Sequence, residues 1–341
     1  MNQERPTLTR SRKNNKKLKR WIIILIAIVI LTGSLGWLFK KQVALVFFDL
    51  FYKDQITPVL DRSYQPIGDE VDRDQADIAK PFALLLLGLD QRDQEPARSD
   101  SILYTVVRPT DNRVLLVSIP RDAYTEIIGY DKSTKINAAY NYGGAKMSVD
   151  TVEHLLDHEV DYYATINFHG LKDVVDAVGG VKLPITSVIE NKLKEHEKLR
   201  IEPNKPIYDG QDALSYVRYR EDSDENRTMR QRIFLNAFMQ QTLQLKQISK
   251  LPDLMDIAGQ NFTTNMKSDF ILSMAESVFL HDSSFMISNY MLHGEGAKRN
   301  GIWYYDIDQE DLSYTRELIT NWLDSDTTAA QLIIPKMNQA Q

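Results

Sequence analysis

The sequence predicts a layered α/β/α domain around a central, mostly mixed sheet, preceded by one transmembrane helix. Three observations predict it. Short apolar runs of strand length alternate with helical patterns between residues 81 and 245, which favours sheet-and-helix layers over a bundle. The run Trp21–Phe39 (WIIILIAIVILTGSLGWLF) carries no charged side chain and has the length of a bilayer-crossing helix. The chain of 341 residues is long enough to bury a sizeable core, and with no cysteine it must hold that core by packing alone.

Residues 1–20 form a basic arm. Arg5, Arg10, Arg12, Lys13, Lys16, Lys17, Lys19 and Arg20 against Glu4 give it roughly +7, so a chain of net charge -6 carries roughly -13 after residue 20. With Lys40 and Lys41 after the apolar run and the larger cluster before it, the positive-inside bias places the N-terminus in the cytoplasm and the rest outside, at a cell membrane. No small-residue cleavage pattern follows the run, which favours an uncleaved anchor with Trp21 and Trp37 at the two interfaces. An acidic outer domain argues against nucleic acid as a partner, and the arm suits anionic lipid headgroups.

Residues 40–80 read as a juxtamembrane spacer, helical at its start (VALVFF) and then acidic and broken by Pro58, Pro66 and Gly68. The folded domain is expected over 81–325, with 326–341 a tail. PFALLLLGLD has the look of a strand buried on both faces. SILYTVV and VLLVSIP form a hairpin around RPTDNR, and its second strand delivers Arg121 and Asp122. A helix around Ser148–Leu156, a strand DYYATINF, a helix GLKDVVDAV stopped by Gly179–Gly180 and a short strand VKLP follow. Residues 185–207 read as an exposed insertion. DGQDALSYVRYR leads into EDSDENRTMRQR and a long helix through about Leu245. Beyond it come a helix near Asp269–Leu280, a hairpin turned at Asn300–Gly301 and a last helix ending near Leu323.

Strand ends and the long helix collect Asp90, Arg98, Asp100, Arg121, Asp122, Lys135, Arg218, Arg220, Arg227, Arg230 and Gln231. Several arginines in an acidic domain suit phosphate oxygens, which the guanidinium fork binds bidentately. Asp90 and Asp100 make sense among them if a cation such as magnesium stands between carboxylate and phosphate. Arg227 and Gln231 are one helical turn apart, and Phe234, Phe238 and Leu245 continue the stripe. That face fits either an amphiphile with an anionic head and a hydrocarbon tail or an ordinary core stripe with a polar end. His154 and His158 share an i, i+4 spacing but lack the glutamate of a zinc protease motif. No nucleophile elbow, Walker loop or dinucleotide fingerprint occurs.

The blocks LLLGLDQRD, RSDSILYTVV, LLVSIPRDAY, STKINAAYNYGG, DYYATINFHGLKDVVDAVGGV and DGQDALSYVRYREDSDENRTMRQR together resemble the LytR-CpsA-Psr family of cell-wall ligases, nearest to its wall teichoic acid transferases. The likeness covers about Pro81 to Leu245, and the basic arm and membrane span also match. It implies a phosphotransferase of a Gram-positive type envelope. Such an enzyme moves a glycopolymer from an undecaprenyl-pyrophosphate carrier to the muramic acid C6 hydroxyl of peptidoglycan, with magnesium or manganese. By that resemblance Asp90 and Asp100 hold the metal, and Arg98, Arg121, Lys135, Arg218, Arg220, Arg227 and Gln231 bind the pyrophosphate. Arg121 and Asp122 belong to the catalytic set, Asp122 orienting Arg121, and Asp224 matches an acid suggested as base for the acceptor hydroxyl. The family often has Asp-Phe-Gly-Arg where this chain has Asp224-Glu-Asn-Arg227. Two other readings use the same residues: a prenyl-pyrophosphate hydrolase, and a lipid-binding regulatory protein without turnover.

Overall fold

The computed structural model describes residues 40–51, 53–67, 79–90, 98–193, 198–219, 221–222, 224–243, 261–280 and 286–336. The basic arm and the apolar run 21–39 lie outside these residues, and no helix among those described is long and apolar enough to cross a membrane. Helix α1 (Lys40–Phe51) falls largely in an N-terminal unit ending at Leu50, and the chain from Phe51 onward forms a second, compact unit. Helix α2 (Lys53–Ser63) continues through Pro58. Its Ile56 and Leu60, one turn apart, are buried, and the Gln65 amide donates to the Thr264 carbonyl at 2.7 Å. This part of the expected spacer is thus built into the folded unit, since burying two aliphatic side chains offsets the backbone hydrogen bond that a proline removes.

The core of the fold is a six-stranded mixed sheet in the order β10-β3-β2-β1-β6-β9. Its strands are β1 (Phe82–Asp90), β2 (Arg98–Arg108), β3 (Arg113–Ile119), β6 (Tyr162–Asn167), β9 (Phe262–Thr264) and β10 (Met286–Met291). The pairs β1–β2, β2–β3 and β6–β9 are antiparallel, whereas β1–β6 and β3–β10 are parallel. The expected hairpin is β2–β3, its turn closed by Asn112 at φ 50°. Two short strands after β3, β4 (Tyr124–Ile127) and β5 (Lys132–Lys135), form a separate hairpin.

Helix α3 (Ala138–Leu156) begins ten residues earlier than its apolar pattern suggests and is kinked where Gly143 and Gly144 leave helical geometry. Together with α8 (Gln309–Leu323) it supplies Val149, Val152, Leu312, Leu318 and Trp322 to one face of the sheet. A second cluster gathers α4 (Phe168–Ala177), α5 (Gly210–Arg218) and α6 (Asp224–Leu243) around Val175, Tyr208, Ala213 and Phe234. The segment VKLP is no strand: Val181 makes one bridge with Tyr208, two backbone hydrogen bonds of 2.9 Å each. Nor is 185–207 a wholly exposed insertion. Ile185 and Ile201 are buried in that second cluster, and the two-residue strands β7 (Ile189–Glu190) and β8 (Arg200–Ile201) pair above it. Two apolar residues separated by a charged stretch gave no periodicity from which to read this.

Helix α7 (Ser268–Leu280) covers part of the other sheet face through Phe270, which meets the Phe82 and Tyr162 rings with centroids 5.6 and 4.6 Å away. The chain closes with hairpin β11 (Gly294–Arg299) and β12 (Ile302–Ile307). Its turn is Asn300–Gly301, at φ 51° and 81°, the left-handed pair that a tight two-residue hairpin requires.

Candidate active site

One end of the sheet gathers the charged residues because strand direction and a single irregularity place them there. Strand β1 runs toward Asp90, and antiparallel β2 starts opposite it, so Asp90 and Arg98 are direct cross-strand partners. Between Gly88↔Ser101 and Leu89↔Ser99 the register slips, which leaves Asp100 as the extra residue of a bulge. Bulges re-aim side chains at the ends of strands. The close approach needs glycine: a Cβ on Gly88 would lie 3.0 Å from that of Ser101. Strand β3 ends at the same edge, and the turn Pro120–Ala123, closed by the Ala123 amide on the Pro120 carbonyl at 2.9 Å, presents Arg121 and Asp122. Backbone bonds from Ile136 to Ala123 (2.8 Å) and from Asn137 to Arg121 (3.2 Å) brace this turn from behind.

The side chains form one network. Arg121 Nη1 donates to Asp100 Oδ1 at 2.9 Å, Arg121 Nε lies 3.6 Å from Asp122 Oδ2, and Lys135 Nζ reaches Asp122 Oδ1 at 2.7 Å. All four side chains are between 12% and 29% exposed, so the charges are half-desolvated yet reachable. Charge-assisted bonds at this depth are stronger than surface ion pairs. Asp122 thus stands between two cations, Arg121 and Lys135.

Arg98 is exposed at the first position of β2, and Asp90 is half-buried opposite it. Arg218 is half-buried in the last turn of α5, Arg227 is 5% exposed in the first turn of α6, and Gln231 follows one turn later, half-buried. Arg220 lies outside the described residues. Asp224 is the first residue of α6, and its side chain lies outside them too. Arg230, which sequence pattern could not separate from its neighbours, is committed to the protein. It makes bonds of 2.6 and 2.9 Å to Asp222 and one of 2.5 Å to the Tyr219 carbonyl, with its guanidinium 4.9 Å from the Tyr219 ring centroid. It ties the loop after α5 to α6.

One open alternative is decided and one expectation needs correction. Of the two readings of the stripe Phe234–Phe238, the structure bears out the core stripe: Phe234 is buried in one cluster with Val175, Tyr216 and Val217. The apolar face is instead on β1, expected to be buried on both sides. Leu85, Leu87 and Leu89 are buried under α3 and α8, but Leu84 and Leu86, on the opposite face, are only half-buried. With period-two alternation, Leu84, Leu86, Gly88 and Asp90 line one face in sequence, so an apolar strip runs straight into the charged cluster. Leu235, Phe262, Met274 and Ile287 flank it.

Further polar groups on this face were not evident from the sequence. Among the described residues, Thr105 Oγ1, Ser118 Oγ and Asn289 Oδ1, on adjacent strands, are buried with no hydrogen-bond partner, as is Arg232 Nε. Arg232 lies one turn before Leu235 on α6, and burial pushes its guanidinium below the ordinary pKa. Only period-two counting on a known register assigns the first three to this face, and register is not written in composition.

No group of three or more histidine or acidic side chains that could hold a metal occurs among the described residues, which fits His158 spending its ring nitrogens on the Leu156 carbonyl and Thr320. Asp90 and Asp100 remain as a two-carboxylate set beside basic side chains. That suits magnesium in the arrangement where phosphate oxygens complete the shell.

This architecture is found in known proteins. The LytR-CpsA-Psr family model matches residues 54–320, and the chain belongs to that family. Over 309 residues it is 34% identical to the polyisoprenyl-teichoic acid–peptidoglycan teichoic acid transferase TagU of Bacillus licheniformis, covering 89% of this chain and 94% of the relative. Like its curated relatives, the chain is a transferase. The crystal structure of Bacillus subtilis TagV superposes with a TM-score of 0.63 at 28% identity, over 72% of this chain and 98% of that one. The structure of TagT bound to LIIa-WTA gives a TM-score of 0.61 at 28% identity, over 76% of this chain and 98% of that one.

Proposed function

We propose that the protein transfers an anionic glycopolymer of the wall teichoic acid type from an undecaprenyl-pyrophosphate carrier to the C6 hydroxyl of muramic acid in peptidoglycan. It would act outside the membrane, anchored by residues 21–39. The observation that carries this reading is the face of β1. Leu84 and Leu86, half-buried on a central strand, lead through Gly88 to Asp90, beside the Asp100–Arg121–Asp122–Lys135 network. A hydrocarbon tail on the leucines sets a pyrophosphate among the basic side chains, and few other ligands would use both parts. The family membership and the TagU relatives support the glycopolymer and peptidoglycan as partners.

In the reaction the acceptor oxygen attacks the phosphorus that carries the glycan. A new O–P bond forms, the bridging P–O bond breaks, undecaprenyl phosphate leaves, and the hydroxyl proton passes to a carboxylate, for which Asp224 at the start of α6 is the candidate. Arg121, fixed by Asp100 and Asp122, stabilises charge on the transferring group, while Arg98, Lys135, Arg218, Arg220, Arg227 and Gln231 bind the remaining pyrophosphate oxygens. Magnesium, or manganese, held by Asp90 and Asp100 would neutralise part of the same charge.

Replacing Arg121 or Asp100 by Ala should lower transfer from a prenyl-pyrophosphate-linked glycan to peptidoglycan oligomers by about 100-fold or more. Wild-type rates in both variants would refute the assignment. Release of free phosphorylated glycan with no peptidoglycan adduct would make the enzyme a hydrolase.

A further inference from the structure

The C-terminal hairpin β11–β12 lies outside all the sequence blocks that carry the family likeness, yet it is bonded to the active-site turn. The Tyr305 amide donates to the Asp122 carbonyl at 2.9 Å, and Ala123 and Tyr305 form a parallel bridge, so β12 continues alongside the turn that presents Arg121. Alternation along β12 then places Tyr304 on the side of Asp122. There the Tyr304 ring meets the Tyr124 ring edge-on, with centroids 5.1 Å apart, and the Lys135 ammonium stands 5.8 Å from the Tyr304 centroid. Tyr124 and Lys135 are direct cross-strand partners on β4–β5, so the two rings and the ammonium form one box. Its lid is Arg299, whose guanidinium lies 4.2 Å from the Tyr124 centroid and 5.7 Å from that of Tyr304, and which Asp306 holds at 2.7 Å.

We infer that Tyr304 is a positioning residue of the active site, acting through Lys135. A lysine has a long, freely rotating stem and loses much rotamer entropy when its ammonium is fixed. Here the ammonium has two neighbours: the Asp122 carboxylate on one side, 2.7 Å away, and the Tyr304 ring on the other. When a pyrophosphate competes with Asp122 for Lys135, the ring keeps the ammonium beside the turn rather than letting it swing into water. The hairpin thereby joins the site as its outer wall. Tyr304 does this with its ring face, so the phenolic oxygen is dispensable.

This inference rests on the transferase reading above, and a double-mutant cycle on the full chain in detergent separates the two. Tyr304→Ala should lower kcat/KM for the prenyl-pyrophosphate donor about fivefold, the scale of one partly desolvated cation–π contact. Tyr304→Phe should retain the wild-type value. In a Lys135→Met background, Tyr304→Ala should cause no further loss. Additive losses in the double variant, or a Phe variant as poor as the Ala variant, would overturn the assignment. If the wild type transfers nothing, the transferase reading fails. The positioning is then judged on the affinity of the same proteins for inorganic pyrophosphate, where non-additivity supports it and additivity overturns it.

Discussion

Strand β1 presents two faces made from the same amino acid, and they have opposite fates. On one, Leu85 and Leu87 are 0% and 1% exposed, sealed by α3 and α8 together with Tyr104, Leu115 and Val117. On the other, Leu84 and Leu86 are half-buried and share their face with buried polar atoms that have no partner among the described residues. A closed core leaves neither apolar surface nor orphaned hydroxyls, so Leu84 and Leu86, unlike Phe82 under α7, form the part of the second face to which the proposed function assigns the lipid tail. Strand β1 thus closes a core through Leu85, Leu87 and Leu89, while on its other face Phe82 is sealed under α7 and Leu84 and Leu86 stay half-buried.

The largest expected contrast is between neighbouring leucines. Leu85→Ala should cost about 2–5 kcal/mol of unfolding free energy, as truncations in closed cores do, whereas Leu86→Ala should cost about 1 kcal/mol or less. Denaturant unfolding of both variants measures the difference, and equal losses would erase the distinction between the faces. A second contrast appears in turnover: Leu86→Trp, which fills the strip, should slow transfer from a long-chain donor about tenfold while leaving a short-chain donor nearly unaffected, since roughly 0.8 kcal/mol is at stake per buried methylene.

Smaller effects sharpen the account. Arg232→Met should raise the stability of the ligand-free protein by about 1 kcal/mol, because replacing a desolvated charge by an apolar chain of similar length removes a penalty. Thermal unfolding without ligand reads this directly. Smallest of all, Ser118→Ala should change stability by no more than about 0.5 kcal/mol in either direction, because among the described residues its hydroxyl has no hydrogen bond to lose. A loss well above that would reveal a partner for the hydroxyl.

Much of this was legible in the sequence. Strand-length apolar runs and glycine stops located the sheet and its helices, and Asn300–Gly301 located the last hairpin to the residue. The site residues Asp100, Arg121 and Asp122 converge because β2 starts and β3 ends at one edge of the mixed sheet, and Lys135 joins them from the separate β4–β5 hairpin. What failed is what depends on pairing rather than pattern. PFALLLLGLD is apolar at every position from Phe82 to Leu87, so no alternation marks which face lies open; that is decided by α3, α8 and α7 packing elsewhere in the chain. Phe234 and Phe238 match a ligand stripe and a core stripe equally well, and only the position of α4 and α5 decides for the core. Arg230 and Arg227 differ by three positions, yet one closes a loop on Asp222 while the other belongs to the face that continues to Gln231.

The most direct test is an affinity series: prenyl pyrophosphates of increasing chain length titrated against the wild type and Leu86→Trp, full chain, in the same detergent. The wild type should bind more tightly with each added isoprene unit until the strip is filled, and Leu86→Trp should flatten that rise while retaining the affinity for inorganic pyrophosphate. Wild-type affinity independent of chain length, or the same rise in both proteins, would contradict the claim that the open face of β1 holds the tail of an anionic lipid.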